Sequence, residues 1–201
     1  MEANIAGAIV SAPRERLTAA MAASIQERGY RETTVADVVR IARTSRRTFY
    51  EHFPDRDTCF LALFEQTAQQ TIERVAAAVN PAQPWDQQVD CALDAYIASV
   101  TERPALQQSF VRELPGLAGV GAARQRALVE RFGQLLVDLV ESSRRRQPEL
   151  GARPLPLDVA IIIVGGLREL LVISIEQGRD LHELGDSSRQ VVRAILAAVV
   201  F

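Results

Sequence analysis

The sequence predicts an all-α protein in which a small amino-terminal module, residues 1–57, precedes a larger helical body, residues 58–201. Three observations carry that expectation. Hydrophobic residues make up 48% of the 201, while glycine and proline number only 11 and 9, a balance too apolar for disorder and too poor in turn formers for a strand-rich fold. Apolar residues recur at helical spacing in one segment after another. Between residues 33 and 53 two short periodic stretches flank a tight turn, and four arginines but no acid lie between positions 40 and 47.

The elements follow in order. The first helix follows Ser11 and Pro13 and runs to about Arg28, with Leu17, Ala20, Met21, Ser24 and Ile25 on one narrow face before Gly29 stops it. Thr33 or Thr34 caps the second, where Val35, Val38, Val39 and Ala42 share a face and Asp37 complements the dipole from the first turn. A third helix begins near Ser45, whose hydroxyl suits a cap, and ends around Phe53-Pro54. Phe49 and Phe53, four residues apart, form its inner face and leave Arg46, Arg47 and Tyr50 outside.

Asp55 or Asp57 caps a long helix from about Thr58 to Val79, ended by Asn80-Pro81. Further helices are expected over residues 85–100, 104–111, 121–146 and 157–177, and a last one from Ser187 or Ser188 to Phe201. Pro148, Gly151, Pro154 and Pro156 mark a loop. Gly165-Gly166 costs about 1 kcal/mol per residue in helix propensity, so it reads as a seam where another helix comes close rather than as a break.

Composition narrows the function. The net charge of −2 excludes a uniformly basic, indiscriminate nucleic-acid binder; residues 61–201 hold 14 arginines against 17 acids, so any attraction for DNA is local to the amino-terminal module. All 23 basic residues are arginine, which we read as coding bias rather than function. Cys59 and Cys91 sit in apolar periodic segments and read as small buried hydrophobes in a reducing compartment. The strongest apolar run, Val159 to Val164, is soon interrupted by Arg168 and Glu169, so a cytoplasmic protein without a membrane span is expected. His52 and His182 are the only histidines and neither has a compact set of ligating neighbours. No metal, cofactor or enzymatic chemistry is expected.

The arginine-bearing helix carries the chemical case. If Ser45 opens it, Arg46, Arg47 and Thr48 fall in the turn that enters the major groove in helix-turn-helix proteins. Arg46 or Arg47 can then present paired donors to guanine O6 and N7, and one good pair contributes about 1–3 kcal/mol of discrimination. Thr34, Arg43, Thr44, Thr48, Tyr50 and His52 suit phosphate contacts or sampling of a base edge. An ordinary surface arginine cluster is the competing interpretation.

The run Thr33-Thr34-Val35 through Thr48-Phe49-Tyr50-Glu51-His52-Phe53, followed by Pro54-Asp55-Arg56-Asp57, resembles the amino-terminal signature of the TetR family of transcriptional repressors over about residues 14–64. The resemblance implies a helix-turn-helix DNA-binding domain followed by a larger ligand-binding and dimerisation domain. It places Thr34, Thr44, Ser45, Arg46, Arg47, Thr48, Tyr50 and His52 on the DNA-facing surface. Two residues depart from the pattern: Arg43 stands where glycine is usual in the turn, and Arg47 where glycine or another small residue is frequent. Both add positive charge to that surface.

The same resemblance implies a mostly apolar effector cavity within residues 60–140. Candidate wall residues are Phe64, Trp85, Tyr96, Phe110, Leu114, Phe132 and Leu136, with Gln107, Gln108 or Arg112 adding a polar contact, although any single aromatic is more often core filling. A homodimer is expected through helices near 157–177 and 188–201, whose apolar density exceeds that of a lone outer helix. The resulting expectation is a repressor that binds a palindromic operator in double-stranded DNA and is released by a small apolar or amphipathic effector. The alternatives are a DNA-binding regulator without a small-molecule sensor and a helical protein-interaction scaffold.

Overall fold

A computed structural model describes residues 13–117, 120–180 and 184–201; Ser11 and His182 lie outside them. Among the described residues the regular structure is helical throughout. The chain divides into two compact units, one ending at Phe64 and the other beginning at Glu65.

The first unit holds α1 (Pro13–Arg28), α2 (Val35–Ile41), α3 (Arg46–His52) and the opening turns of α4 (Arg56–Ala78). The expected face of α1 is the buried one: Leu17, Met21 and Ile25 are essentially inaccessible, and Ser24 joins them because its hydroxyl hydrogen-bonds the equally buried Thr33 Oγ1 at 3.0 Å. Thr33 therefore belongs to the core, and Thr34 caps α2. Phe49 and Phe53 close the core from α3, their ring centroids 5.8 Å apart. Full burial of a phenylalanine side chain contributes about 1.5–3 kcal/mol, so these two rings anchor a helix of only seven residues that has little stability of its own.

The division expected at 57/58 falls seven residues later, inside α4. Tyr30, just before α2, stacks on Phe60 with centroids 4.1 Å apart, which ties the start of α4 to the amino-terminal module. Asp55 is the α4 cap, its carboxylate accepting the Thr58 amide at 2.7 Å.

The second unit comprises the remainder of α4, α5 (Trp85–Thr101), α6 (Pro104–Glu113), α7 (Val120–Arg146), α8 (Leu157–Gln177) and α9 (Leu184–Val199). Short 3₁₀ turns at Leu114–Gly116 and Pro148–Leu150 follow α6 and α7. The core joins Val89 and Leu93 of α5, Ala160 and Ile163 of α8, and Val192 and Leu196 of α9, with Leu136 and Val140 of α7 packed against it. Helices α7 and α8 approach closely at Gly133, where an added Cβ would stand 3.2 Å from Ile161 Cγ1. Arg189 and Arg193 of α9 pair with Asp94 and Asp90 of α5, a charged edge that orients two helices already joined by apolar contact.

The last helix begins earlier than expected from Ser187 or Ser188. Ser188 is buried within the second turn instead of capping, and Asp186 supplies the first-turn acid, bonded to Arg189 at 2.7 Å. The helix also ends earlier, at Val199, and Phe201 beyond it stacks on Trp85 with centroids 4.8 Å apart.

Helix α8 continues through Gly165 and Gly166, as expected of a seam, but a Cβ at either would meet nothing within 4 Å. The seam therefore faces away from the chain's own helices. Beside it Ile162 is 66% exposed and Leu170 42%, one helical turn to either side of Gly166, and Val191 of α9 is 57% exposed.

Candidate nucleic-acid interface

The turn between α2 and α3 is built by helix capping at both ends. At the start of α2, Thr34 Oγ1 accepts the Asp37 amide at 3.2 Å while Asp37 Oδ2 accepts the Thr34 amide at 3.1 Å, a reciprocal capping box. The Thr34 hydroxyl also donates to Asp37 at 2.6 Å. Those bonds, with Arg28 and Arg40 3.5 and 3.7 Å away, hold the Asp37 carboxyl below its ordinary pKa.

At its other end α2 closes with paired bonds, the Thr44 amide to the Val39 carbonyl at 3.0 Å and the Arg43 amide to the Arg40 carbonyl at 3.3 Å. This is a Schellman motif, whose penultimate residue takes left-handed backbone angles and is usually glycine. Arg43 occupies it with φ +51°. The departure noted in the sequence thus leaves the turn geometry intact, and the same motif recurs at the end of α8 with Gly178 in the equivalent place, φ +65°.

Helix α3 starts from Ser45, whose Oγ accepts the Thr48 amide at 3.0 Å and also hydrogen-bonds Thr48 Oγ1 at 3.0 Å. With Phe49 inward, Arg46, Arg47, Tyr50 and His52 are all exposed. Tyr50 is 56% accessible and touches Phe49 edge-on, so its ring as well as its hydroxyl is available. Arg47 bonds Glu51 at 3.1 Å one turn on, yet its side chain is 89% exposed and a surface pair of this kind is weak enough to exchange for phosphate or base. Arg43 and Arg46 form no ion pair among the described residues.

The structure therefore places eight of the nine candidate DNA-facing residues on one capped turn and one helix, with Thr34 apart at the start of α2. Thr34 and Ser45 meet the solvent at two helix N-termini, Thr44 is half-buried in the turn, and Arg43 to His52 continue from it. Sequence reasoning assigns no role to Tyr30 and Arg56, which brace this head from behind. The Tyr30 hydroxyl donates to Asp57, and burial together with that bond pushes its pKa upward.

The candidate effector residues scatter. Trp85 and Leu136 meet on an apolar cavity of about 50 Å³ that Val89, Val140 and Leu196 also line. For scale, an engineered cavity of about 150 Å³ admits benzene. Tyr96 and Phe132 pack edge to face, centroids 6.1 Å apart, and Phe110 and Leu114 are core. Gln107 borders a separate polar cavity of about 40 Å³ with Arg74, Ser99 and Glu102. Arg112 is exposed, Gln108 half-buried, and Phe64 is a buried residue of the amino-terminal unit. Burial raises the Cys59 thiol to about 12, so it stays protonated at neutral pH. Among the described residues no three His, Cys, Asp or Glu gather in a metal-binding group, and no helix is long and apolar enough to cross a membrane.

Two short helices in a three-helix unit, joined by a Schellman turn and presenting arginines from the start of the second, define a helix-turn-helix protein. Residues 17–63 match the family model described as bacterial regulatory proteins, tetR family, so the likeness to that family covers the amino-terminal domain. A curated relative, an uncharacterized HTH-type transcriptional regulator of Mycobacterium tuberculosis, is 32% identical over 84 residues, which span 42% of this chain and 42% of that relative's length.

Similarity of fold extends further. The fatty acid degradation regulator FadR from Bacillus halodurans superimposes with TM-score 0.68 at 18% identity, covering 91% of this chain and 94% of its own. A TetR-family transcriptional regulator from Pectobacterium atrosepticum gives 0.69 at 21% identity, covering 93% of each chain.

Proposed function

We propose that this protein is a transcriptional repressor that binds a palindromic DNA operator as a homodimer and releases it when a small apolar or amphipathic effector binds the larger unit. The observation that carries the reading is the outward face of α3, where Arg46 and Tyr50 stand exposed beside Arg43 and a Ser45–Thr48 cap. That face offers bidentate donors for base edges and hydroxyls for phosphate.

The dimer is inferred from α8 and α9. Ile162, Gly166 and Leu170 form one stripe and Val191, Ala194 and Ala198 another, all exposed, and a second copy would bury both. One recognition helix spans too little DNA for specificity, whereas two related by a two-fold axis read half-sites about 34–36 Å apart or a multiple of it. The effector reading rests on the apolar cavity at Trp85 and Leu136, which a ligand would have to enlarge. Helix α4 is continuous from Arg56 to Ala78 and offers a covalent path for coupling the units. Moving the population from 1:99 to 99:1 requires an effector preference of about 5.5 kcal/mol between states.

Selection of bound fragments from a random duplex library tests the proposal. A palindromic consensus, bound with steep salt dependence and at two protomers per site, is the expected result. Binding with no sequence preference would refute it. With the selected operator in hand, a small-molecule screen for release separates the effector-responsive repressor from a regulator without a sensor.

A further inference from the structure

We propose that Arg56 is a positioning residue of the DNA-reading head, an internal clamp that fixes the loop before α2 to the first turn of α4, and that it does not act by binding phosphate. The inference rests on the DNA-binding reading above and concerns a residue that the DNA-facing surface does not include.

The geometry places Arg56 at the centre of a closed set of contacts. Its guanidinium lies over the Tyr30 ring, 4.3 Å from the centroid. Nη1 donates to the Thr33 carbonyl at 3.0 Å and, more weakly, to those of Tyr30 and Arg31 at 3.4 and 3.5 Å. Nε is 3.5 Å from Asp57 Oδ1, the same oxygen that receives the Tyr30 hydroxyl. Tyr30 in turn stacks on Phe60. One cation therefore adds donors to the carbonyls of a loop otherwise held by the Thr33 amide's bond to the Tyr30 carbonyl at 3.1 Å, and the aromatic beneath it is itself fixed to α4.

The consequence runs to the operator through one residue. Thr33 is locked in the core by Ser24 and its carbonyl by Arg56, and the next residue, Thr34, opens α2 and faces solvent among the candidate DNA contacts. Holding the Thr33 carbonyl fixes where the Thr34 amide and hydroxyl stand before DNA arrives. Its face, Nη1 and Nε are committed within the head, which leaves Nη2 as the nitrogen without a partner among these contacts. Lysine would carry the same charge but not the planar fork that spans ring, carbonyls and carboxylate together.

The test measures affinity of the full-length protein for its selected operator across a salt series. Arg56→Gln is expected to weaken binding about tenfold, the loss of one charge-assisted hydrogen bond's worth of positioning, while the slope of log K against log salt stays at the wild-type value. Arg56→Lys is expected to behave like Arg56→Gln. Tyr30→Phe, which keeps the ring but removes the hydroxyl bonded to Asp57, should weaken binding by a smaller factor at unchanged slope. It carries the test if Arg56→Gln fails to fold. Thr34→Ala should add less than its separate effect on top of Arg56→Gln, because both act at the same point.

A slope reduced by about 0.9 for each Arg56 lost, with full recovery in Arg56→Lys, would identify a phosphate contact and overturn the inference. Wild-type affinity in both Arg56→Gln and Tyr30→Phe would also overturn it, while leaving the regulator reading in place. Failure of the wild-type protein to select any duplex would bring down both.

Discussion

Replacing Arg43 separates two effects that coincide in the native turn, backbone strain and charge. Arg43 sits at φ +51°, in a Schellman motif whose amide bonds to Val39 and Arg40 depend on that conformation. An L-residue in the left-handed region costs about 1–2 kcal/mol, while glycine at the same place costs about 0.5–1 kcal/mol through the extra freedom of the unfolded chain. Strain relief is the larger number, so Arg43→Gly is expected to be more stable than Arg43→Ala by about 0.5–1 kcal/mol. In a chain of this size that corresponds to a difference in Tm of about 1–4 °C.

Both variants lose the same charge from a side chain with no ion-pair partner among the described residues. Both should therefore reduce the salt slope of DNA binding by about 0.9 for each phosphate contact removed. Urea unfolding of the two variants and the wild type gives the first quantity, and operator titration from low to high salt gives the second. Equal stability of Arg43→Gly and Arg43→Ala would show that the turn relaxes around an L-residue and would refute the strain argument. An unchanged slope in both would remove Arg43 from the DNA interface.

Acid should destabilise the amino-terminal unit only at low pH. Asp37 and Asp55 have carboxyls held below 3.8 by hydrogen bonds to Thr34 and Thr58, so their contribution is complete above that value and is lost as the pH falls through their depressed pKa values. Urea midpoints across that range should fall less in Asp37→Asn than in the wild type. Ile162→Arg, placing a charge on the exposed α8 stripe, is expected to yield monomers by sedimentation and to weaken operator binding sharply; a stable dimer would move the interface elsewhere. Gly133→Leu, with Ile161 already 3.2 Å from where its Cβ would stand, should lower stability by about 1–3 kcal/mol in denaturant titration.

Much of the reading head is legible in the amino-acid sequence because its determinants are local. A cap bonds an amide three residues away, as Ser45 does to Thr48, and a helix face repeats every three or four residues, so residue type and spacing alone turn Phe49 and Phe53 inward and Arg46 and Tyr50 out. Where two local solutions compete, the sequence leaves both open. Thr33 and Thr34 are equivalent as caps by residue type, and the choice falls to Thr34 because Ser24, nine residues back, captures Thr33 in the core. The serine pair misplaces the start of α9 for a related reason: Ser188 has the composition of a cap but lies on a face that packing buries.

The aromatic residues of the larger unit illustrate the limit more broadly. Periodicity places them on helices correctly, yet no helical period reveals that Trp85 and Leu136 meet at one cavity, that Tyr96 meets Phe132, or that Gln107 borders another cavity. The clamp at Arg56 is of the same kind, linking residues 23 to 26 positions apart in sequence.

The amino-acid order by itself determined helix identity, most boundaries and the outward aim of the α3 arginines, since hydrogen bonds and side-chain periodicity within one or two turns decide all of these. Only the tertiary structure decided that Arg43 keeps the glycine conformation, that Thr33 is core while Thr34 is cap, and that Arg56 turns back onto Tyr30. The last two outcomes depend on which distant surfaces pack together, and the first on the paired amide bonds that close α2 around a residue type whose local preference runs the other way.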